Sequence, residues 1–145
     1  MGKRRLSREF ALQYLYACDI KDEYDLRDLH KTWEIVCEQN RIDIESPQFD
    51  FSEKLIHGYV DHKETIDDTI QRHSTNWSFS RIALIDRNLL RIAVFEIMFL
   101  DDVPAVVSID EAVDIAKKFS TPDSGKFING VLDKIKEELA EKKKS

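Results

Sequence analysis

Cysteine, proline and glycine are all scarce: two, three and four residues of 145. Cys18 and Cys37 fall on segments that read as separate helices, and nothing in the sequence places them within bonding geometry, so free thiols in a reducing cytoplasm are expected. With few turn dipeptides and little period-two alternation, the chain lacks the pattern of a β protein. It also lacks a long apolar run. Residues 92–100 are interrupted by Glu96 and span about half of what a bilayer crossing needs, and the basic N-terminus has no apolar signal core. A cytoplasmic protein with no export signal and no membrane partner is the expectation.

The usual marks of catalysis are missing as well. The histidines, His30, His57, His62 and His73, form neither a His-Glu-x-x-His pair nor a Cys/His ligand spacing. Gly125 and Gly130 lie inside a helical pattern with no strand before them, so they make no phosphate loop. Paired acids at 101–102 and 110–111 are explained by stopping, capping and dipole interactions at helix ends. No nucleophile has an identifiable base. The expectation is a protein that is not an enzyme, with no catalytic residue, no metal and no cofactor.

What is present is a hydrophobic fraction of 42% beside 34% charged residues, enough for one autonomous core. A chain of this size buries roughly 68–70% of its unfolded surface. The net charge of −6 hides a gradient. Residues 1–8 carry four basic groups, Lys3, Arg4, Arg5 and Arg8, and no acid, while residues 9–76 hold seven basic and sixteen acidic groups. A basic arm on an acidic body can still grip phosphates if the acidic face points elsewhere.

The apolar spacing is helical almost throughout, so the fold class is all-α. A first helix is expected over residues 7–18, and a second carries Leu26, Leu29, Trp33, Val36 and Cys37 on one stripe. Ser46-Pro47 reads as an N-cap followed by proline at the first helical position, opening one long third helix that buries Phe51, Leu55, Tyr59, Ile66 and Ile70. A composition shift over residues 74–77 marks the expected seam between an N-terminal subdomain (about 1–76) and a C-terminal one (about 77–145). The most hydrophobic helix, residues 86–100, is stopped by Asp101-Asp102-Val103-Pro104, and Ser108-Ile109-Asp110-Glu111 reads as the capping box of the next. Thr121-Pro122-Asp123-Ser124 caps the last helix.

Two concentrations suggest binding. The arm runs into a helix bearing Arg8, Gln13 and Tyr16, so cations, an amide and a ring can converge. Single-stranded RNA wants that mixture: charge for the backbone, rings for unpaired bases, amides for base edges. The stretch KKFSTPDSGKF, residues 117–127, gathers Lys117, Lys118, Lys126, Phe119 and Phe127 at a helix junction, where lysines and free N–H groups suit a phosphate. The alternative for this stretch is that both rings are core and the lysines are ordinary solvated ends.

The blocks RRLSREFALQYLY (4–16), IDRNLLRIAVFEIMFLDDVPAVVSIDEAVDIAKKF (85–119) and DSGKFINGVLDKI (123–135) resemble the NusB family, covering over a third of the chain in the family's order. The resemblance implies about seven helices in two packed three-helix-type subdomains. It implies binding of boxA single-stranded RNA of ribosomal RNA leaders together with NusE, a small-subunit ribosomal protein, within an RNA polymerase antitermination complex that holds other Nus factors. Position by position, it assigns RNA contacts to Lys3, Arg4, Arg5, Arg8, Gln13, Tyr16, Phe119, Lys126 and Phe127, with Asp123 in the matching loop. Asp86 and Glu96 resemble positions that face NusE. Gly125, inside the first turn of the last helix, is expected to loosen that turn. Two other readings stay open at this point: an RNA-docking domain like those that precede ribosomal RNA cytosine methyltransferases, and a helical protein-interaction module that never touches RNA.

Overall fold

The computed structural model describes residues 3–74 and 78–144, with side chains from 4 to 74 and 78 to 142. The side chain of Lys3 and all of Trp77 lie outside the described residues. Among those described, the chain forms seven α-helices and one 3-10 turn and no strand. It divides into two units, Met1–Asp61 and His62–Ser145.

The first unit holds α1 (Lys3–Lys21), α2 (Leu29–Asn40) and α3 (Pro47–Asp61). α3 begins at the proline that the Ser46-Pro47 pair foretells, and the Ser46 Oγ accepts the Gln48 N–H at 3.2 Å. α1 and α3 are joined by two hydroxyls at their contact. Ser7 Oγ donates to the Gln48 carbonyl at 2.8 Å, and Ser52 Oγ donates to the Ser7 carbonyl at 2.9 Å. Trp33 of α2 is fully buried, with the Phe10 ring edge-on at 5.1 Å and the Phe49 ring at 5.4 Å. Its indole N–H donates to the Ile44 carbonyl at 3.1 Å. The Tyr14 hydroxyl donates to the Asp28 carboxylate, tying α1 to the residue that precedes α2.

The expected single long helix from residue 47 onward is in fact two. α3 ends at Asp61, His62 adopts φ −122° and ψ 25°, and α4 (Lys63–His73) comes next. The apolar period runs on across the break, because α3 offers its stripe to α1 while α4 offers its own to the helices after it, so periodicity alone does not register the interruption. For the same reason the seam lies at residues 61–62 and not near 76: α4 packs with the later helices of the chain.

The second unit adds a 3-10 turn (Phe79–Arg81), α5 (Leu84–Phe99), α6 (Ala105–Phe119) and α7 (Pro122–Lys144). α5 is buried from Asn88 to Glu96 without interruption, as expected of a helix covered by α4, α6 and α7. Polar groups along it are satisfied from inside. Arg91, 3% exposed, grips Asp67 of α4 through Nε–Oδ1 (3.0 Å) and Nη2–Oδ2 (3.1 Å) and donates to Asn88 Oδ1 at 3.0 Å. Its guanidinium also covers the Phe79 ring at 5.2 Å.

α5 stops where the acidic Pro104 segment predicts, but the next helix starts earlier than the capping-box pattern suggests. Pro104 sits in the N-cap place and α6 begins at Ala105, which puts Ser108 inside the helix. Its hydroxyl donates to Glu96 Oε1 at 2.7 Å, both groups buried. The Ser-x-x-Glu spacing is an ordinary i, i+3 pair here, and the serine serves a buried carboxylate across the α5–α6 contact. Gly125 is buried within the continuous helix α7, and a Cβ there would meet Val113 Cγ1 at 3.5 Å, which places it at the α6–α7 crossing.

Candidate nucleic-acid interface

Successive helical residues turn by about 100°, which sorts the polar groups of α1 into two sides. Arg4, Ser7 and Arg8 face α3: the Arg4 guanidinium carbon lies 4.4 Å from the Phe51 ring centroid, and that of Arg8 5.3 Å from the same ring. Arg4 is exposed, whereas Arg8 is only 4% exposed. Around Arg4 opens a cleft of about 390 Å³, lined also by Ser7, Pro47, Gln48, Asp50, Phe51 and Lys54. Arg5, Glu9, Gln13 and Tyr16 fall within an arc of about 80° on the other side of the helix. Of these, Gln13 is exposed and Arg5 and Tyr16 are half-buried. The expected convergence of Arg8 with Gln13 and Tyr16 therefore does not occur, because Arg8 is turned inward onto Phe51. The sequence hides this, since Phe51 lies on a different helix.

In the second unit the α6–α7 junction leaves its rings partly outside the core. Phe119, the last residue of α6, is 38% exposed, and the Lys118 ammonium lies 5.1 Å from its ring centroid. Phe127 is half-buried, and Asp123 and Lys126 are exposed. Phe127 lines a cavity of about 240 Å³ together with Arg81, Ile82, Ala83, Asp86, Thr121, Asp123 and Ser124. The reading of both rings as core does not hold: a core ring would be closed off.

Asp86 and Glu96, expected to face a protein partner, are 6% and 1% exposed and act inside the unit. Glu96 accepts the Ser108 hydroxyl; Asp86 lies beside the hydroxyls of Ser120 and Ser124, which are hydrogen-bonded to each other at 2.7 Å. Charge on a hydrophobic helix suggests a surface, but hydroxyls far along the chain meet it from within, and no local signal reveals them. Burial pushes the Asp86 carboxyl above its usual value near 3.8, with the two serines opposing. A raised folded-state pKa means that the folded state binds the proton more readily, so Asp86's contribution is most favourable below the unfolded value and is lost as pH rises through the folded one. Asp86→Asn is accordingly expected to raise the urea midpoint at neutral pH, the gain disappearing below about pH 4. An equal or lower midpoint at pH 7 would contradict this.

No group of three His, Cys, Asp or Glu suited to a metal occurs among the described residues, and no described helix is long and apolar enough to cross a membrane.

The chain matches the model of the NusB family over residues 5–137. It is 41% identical to the transcription antitermination protein NusB of Thermodesulfovibrio yellowstonii over 97% of each chain. Among solved structures, it is similar to T. maritima NusB, with a TM-score of 0.78 and 35% identity, covering 93% of this chain and 91% of that one. It is also similar to a chain in a crystal structure of the antitermination factors NusB and NusE in complex with dsRNA, with a TM-score of 0.81 and 32% identity, covering 94% and 98%.

Proposed function

The chain belongs to the NusB family of non-enzymatic, RNA-binding transcription antitermination proteins, and from that premise we propose that it binds the boxA segment of ribosomal RNA leader transcripts together with NusE. In this reading the bound pair joins RNA polymerase with other Nus factors and helps it to read through terminators.

The observation that carries the proposal is the state of the α6–α7 junction, where Phe119 and Phe127 stay partly outside the core beside Lys118 and Lys126. Rings held at the surface next to ammonium groups suit unpaired bases and their phosphates. Arg4, Arg5, Gln13 and Tyr16 supply charge, an amide and a ring on α1, with Lys3 preceding them; Arg8 supports Phe51, the ring that Arg4 covers. The solved relative with NusE and RNA supports the choice of partners. With Asp86 and Glu96 committed inside the unit, contact with NusE falls to exposed residues around them.

Titration of fluorescent boxA and scrambled RNA, with the protein alone and with NusE, tests the proposal. It predicts preference for boxA and tighter binding with NusE. Phe127→Ala should weaken binding by about 1–3 kcal/mol, the usual worth of a base stacked on a ring, while the thermal midpoint stays near that of the parent. A protein–NusE complex that forms but ignores RNA would overturn the RNA reading and leave a helical interaction module.

A further inference from the structure

The end of α5, the start of α6 and the C-terminal half of α7 enclose a cleft of about 470 Å³. Ile97, Leu100, Pro104, Leu139 and Ala140 give it an apolar lining, and none of the five is buried. Val106 and Val107, which follow the lining residue Ala105 on α6, are 54% and 43% exposed. An apolar surface left open and rimmed by charge marks a contact site for another macromolecule. It is not the surface already described: Asp86 and Ile97 lie about 16 Å apart along the α5 axis, at 1.5 Å per residue. The cavity that Phe127 lines is at the Asp86 end, and this cleft is at the other.

The rim narrows the choice of occupant. Asp101 lines the cleft and Asp102 follows it, both exposed, at the C-terminal end of α5, where the helix dipole adds negative potential. On the facing wall the Lys136 ammonium lies 3.6 Å from the Asp133 carboxylate, so that cation is offset locally. Such a rim repels RNA phosphates and attracts a basic side chain, while the floor gains from covering by aliphatic ones. A second copy of this chain, with its net charge of −6, lacks the excess of positive charge that the rim favours. An amphipathic helix with basic residues beside its apolar stripe supplies both.

We infer that this cleft docks a basic amphipathic helix of a partner protein. Aliphatic side chains at i and i+4 of that helix cover Leu100, Leu139 and Ala140, and a lysine or arginine at the edge of the same face meets Asp101 and Asp102. This docking stands independently of the RNA reading. The two ends of α5 then serve different partners, so that holding one leaves the other accessible.

The probe is a fluorescent, end-capped helical peptide of leucine and lysine with leucines at i, i+3 and i+4 spacing, beside a twin in which glutamate replaces every lysine. Anisotropy titrations with the full chain should show the lysine peptide bound at least about tenfold more tightly than its twin. Asp101→Lys combined with Asp102→Lys should weaken the lysine peptide about tenfold. Glu38→Lys combined with Glu45→Lys makes the same change in net charge at exposed sites of the first unit and should leave its affinity within about twofold. Ala140→Gln, a neutral and helix-compatible replacement at an exposed position, should weaken the peptide several-fold by filling the floor, and urea unfolding alongside shows that it is folded. Equal binding of the two peptides, or equal losses in the two charge-reversed variants, would overturn the inference by showing attraction to net charge alone. Displacement of the lysine peptide by NusE, or loss of boxA RNA from the Asp101 and Asp102 variant, would also overturn it, since the cleft would then belong to the complex already proposed. If boxA RNA fails to bind the parent protein while the peptide pattern holds, the RNA reading falls and the docking site stands.

Discussion

Trp33→Ala should lower the stability of the first unit by about 3–5 kcal/mol, the usual range for removing a large aromatic side chain from a core. Trp33 is fully buried, packs edge-on against Phe10 and beside Phe49, and donates to the Ile44 carbonyl. The substitution empties the space shared by α1, α2 and the start of α3, and leaves that carbonyl without its indole donor. Domain stabilities are commonly 5–15 kcal/mol, so the loss is a large fraction of the total. Far-UV circular dichroism during urea unfolding should show an early transition in the variant. Trp33→Phe, which keeps a ring but not the indole N–H, should lose clearly less. Equal losses would mean that the hydrogen bond to Ile44, and not the ring packing, holds this part of the core.

Asp67→Ala should cost about 3 kcal/mol or more, through a different cause. It removes the carboxylate that meets Arg91 at two points and leaves a guanidinium, 3% exposed, beside Asn88 and the Phe79 ring without that counter-charge. The penalty is that of a buried charge stripped of its bidentate partner, so removing the charge as well should relieve it. The double variant Asp67→Leu with Arg91→Met should regain most of the loss, since an apolar replacement of a buried ion pair is often neutral. A double variant as unstable as Asp67→Ala would show that packing, not desolvation, sets the cost. The interaction matters to the candidate site because it holds α5, the helix that carries Asp86, against α4.

The sequence is legible where local chemistry decides. Ser46-Pro47 and Thr121-Pro122 open α3 and α7 at the prolines, because a ring that fixes φ and lacks an N–H suits a first turn whatever surrounds it. The stop before Pro104 is of the same kind. Where the outcome depends on residues far along the chain, the pattern misleads. Periodicity passes over the break at His62, and the Ser-x-x-Glu spacing at Ser108 announces a cap where the serine instead serves Glu96. Arg8 reads as part of a basic arm until Phe51, 43 positions away, folds against it. Asp86 and Glu96 look like surface charges on an apolar helix until the hydroxyls of Ser120, Ser124 and Ser108 are brought to them. The cavity beside Phe127 has no sequence signature, because its lining comes from separate segments of the second unit.

The binding account depends on a few cations of an otherwise anionic chain neutralising RNA phosphates, and its salt dependence measures that directly. With Arg4, Arg5 and Lys126 each neutralising one phosphate, log affinity for single-stranded boxA RNA should fall against log salt with a slope of about −2. Arg4→Ala combined with Arg5→Ala should bring the slope to about −0.7. An affinity indifferent to salt in the parent protein, or a slope unmoved by loss of both arginines, would contradict the account.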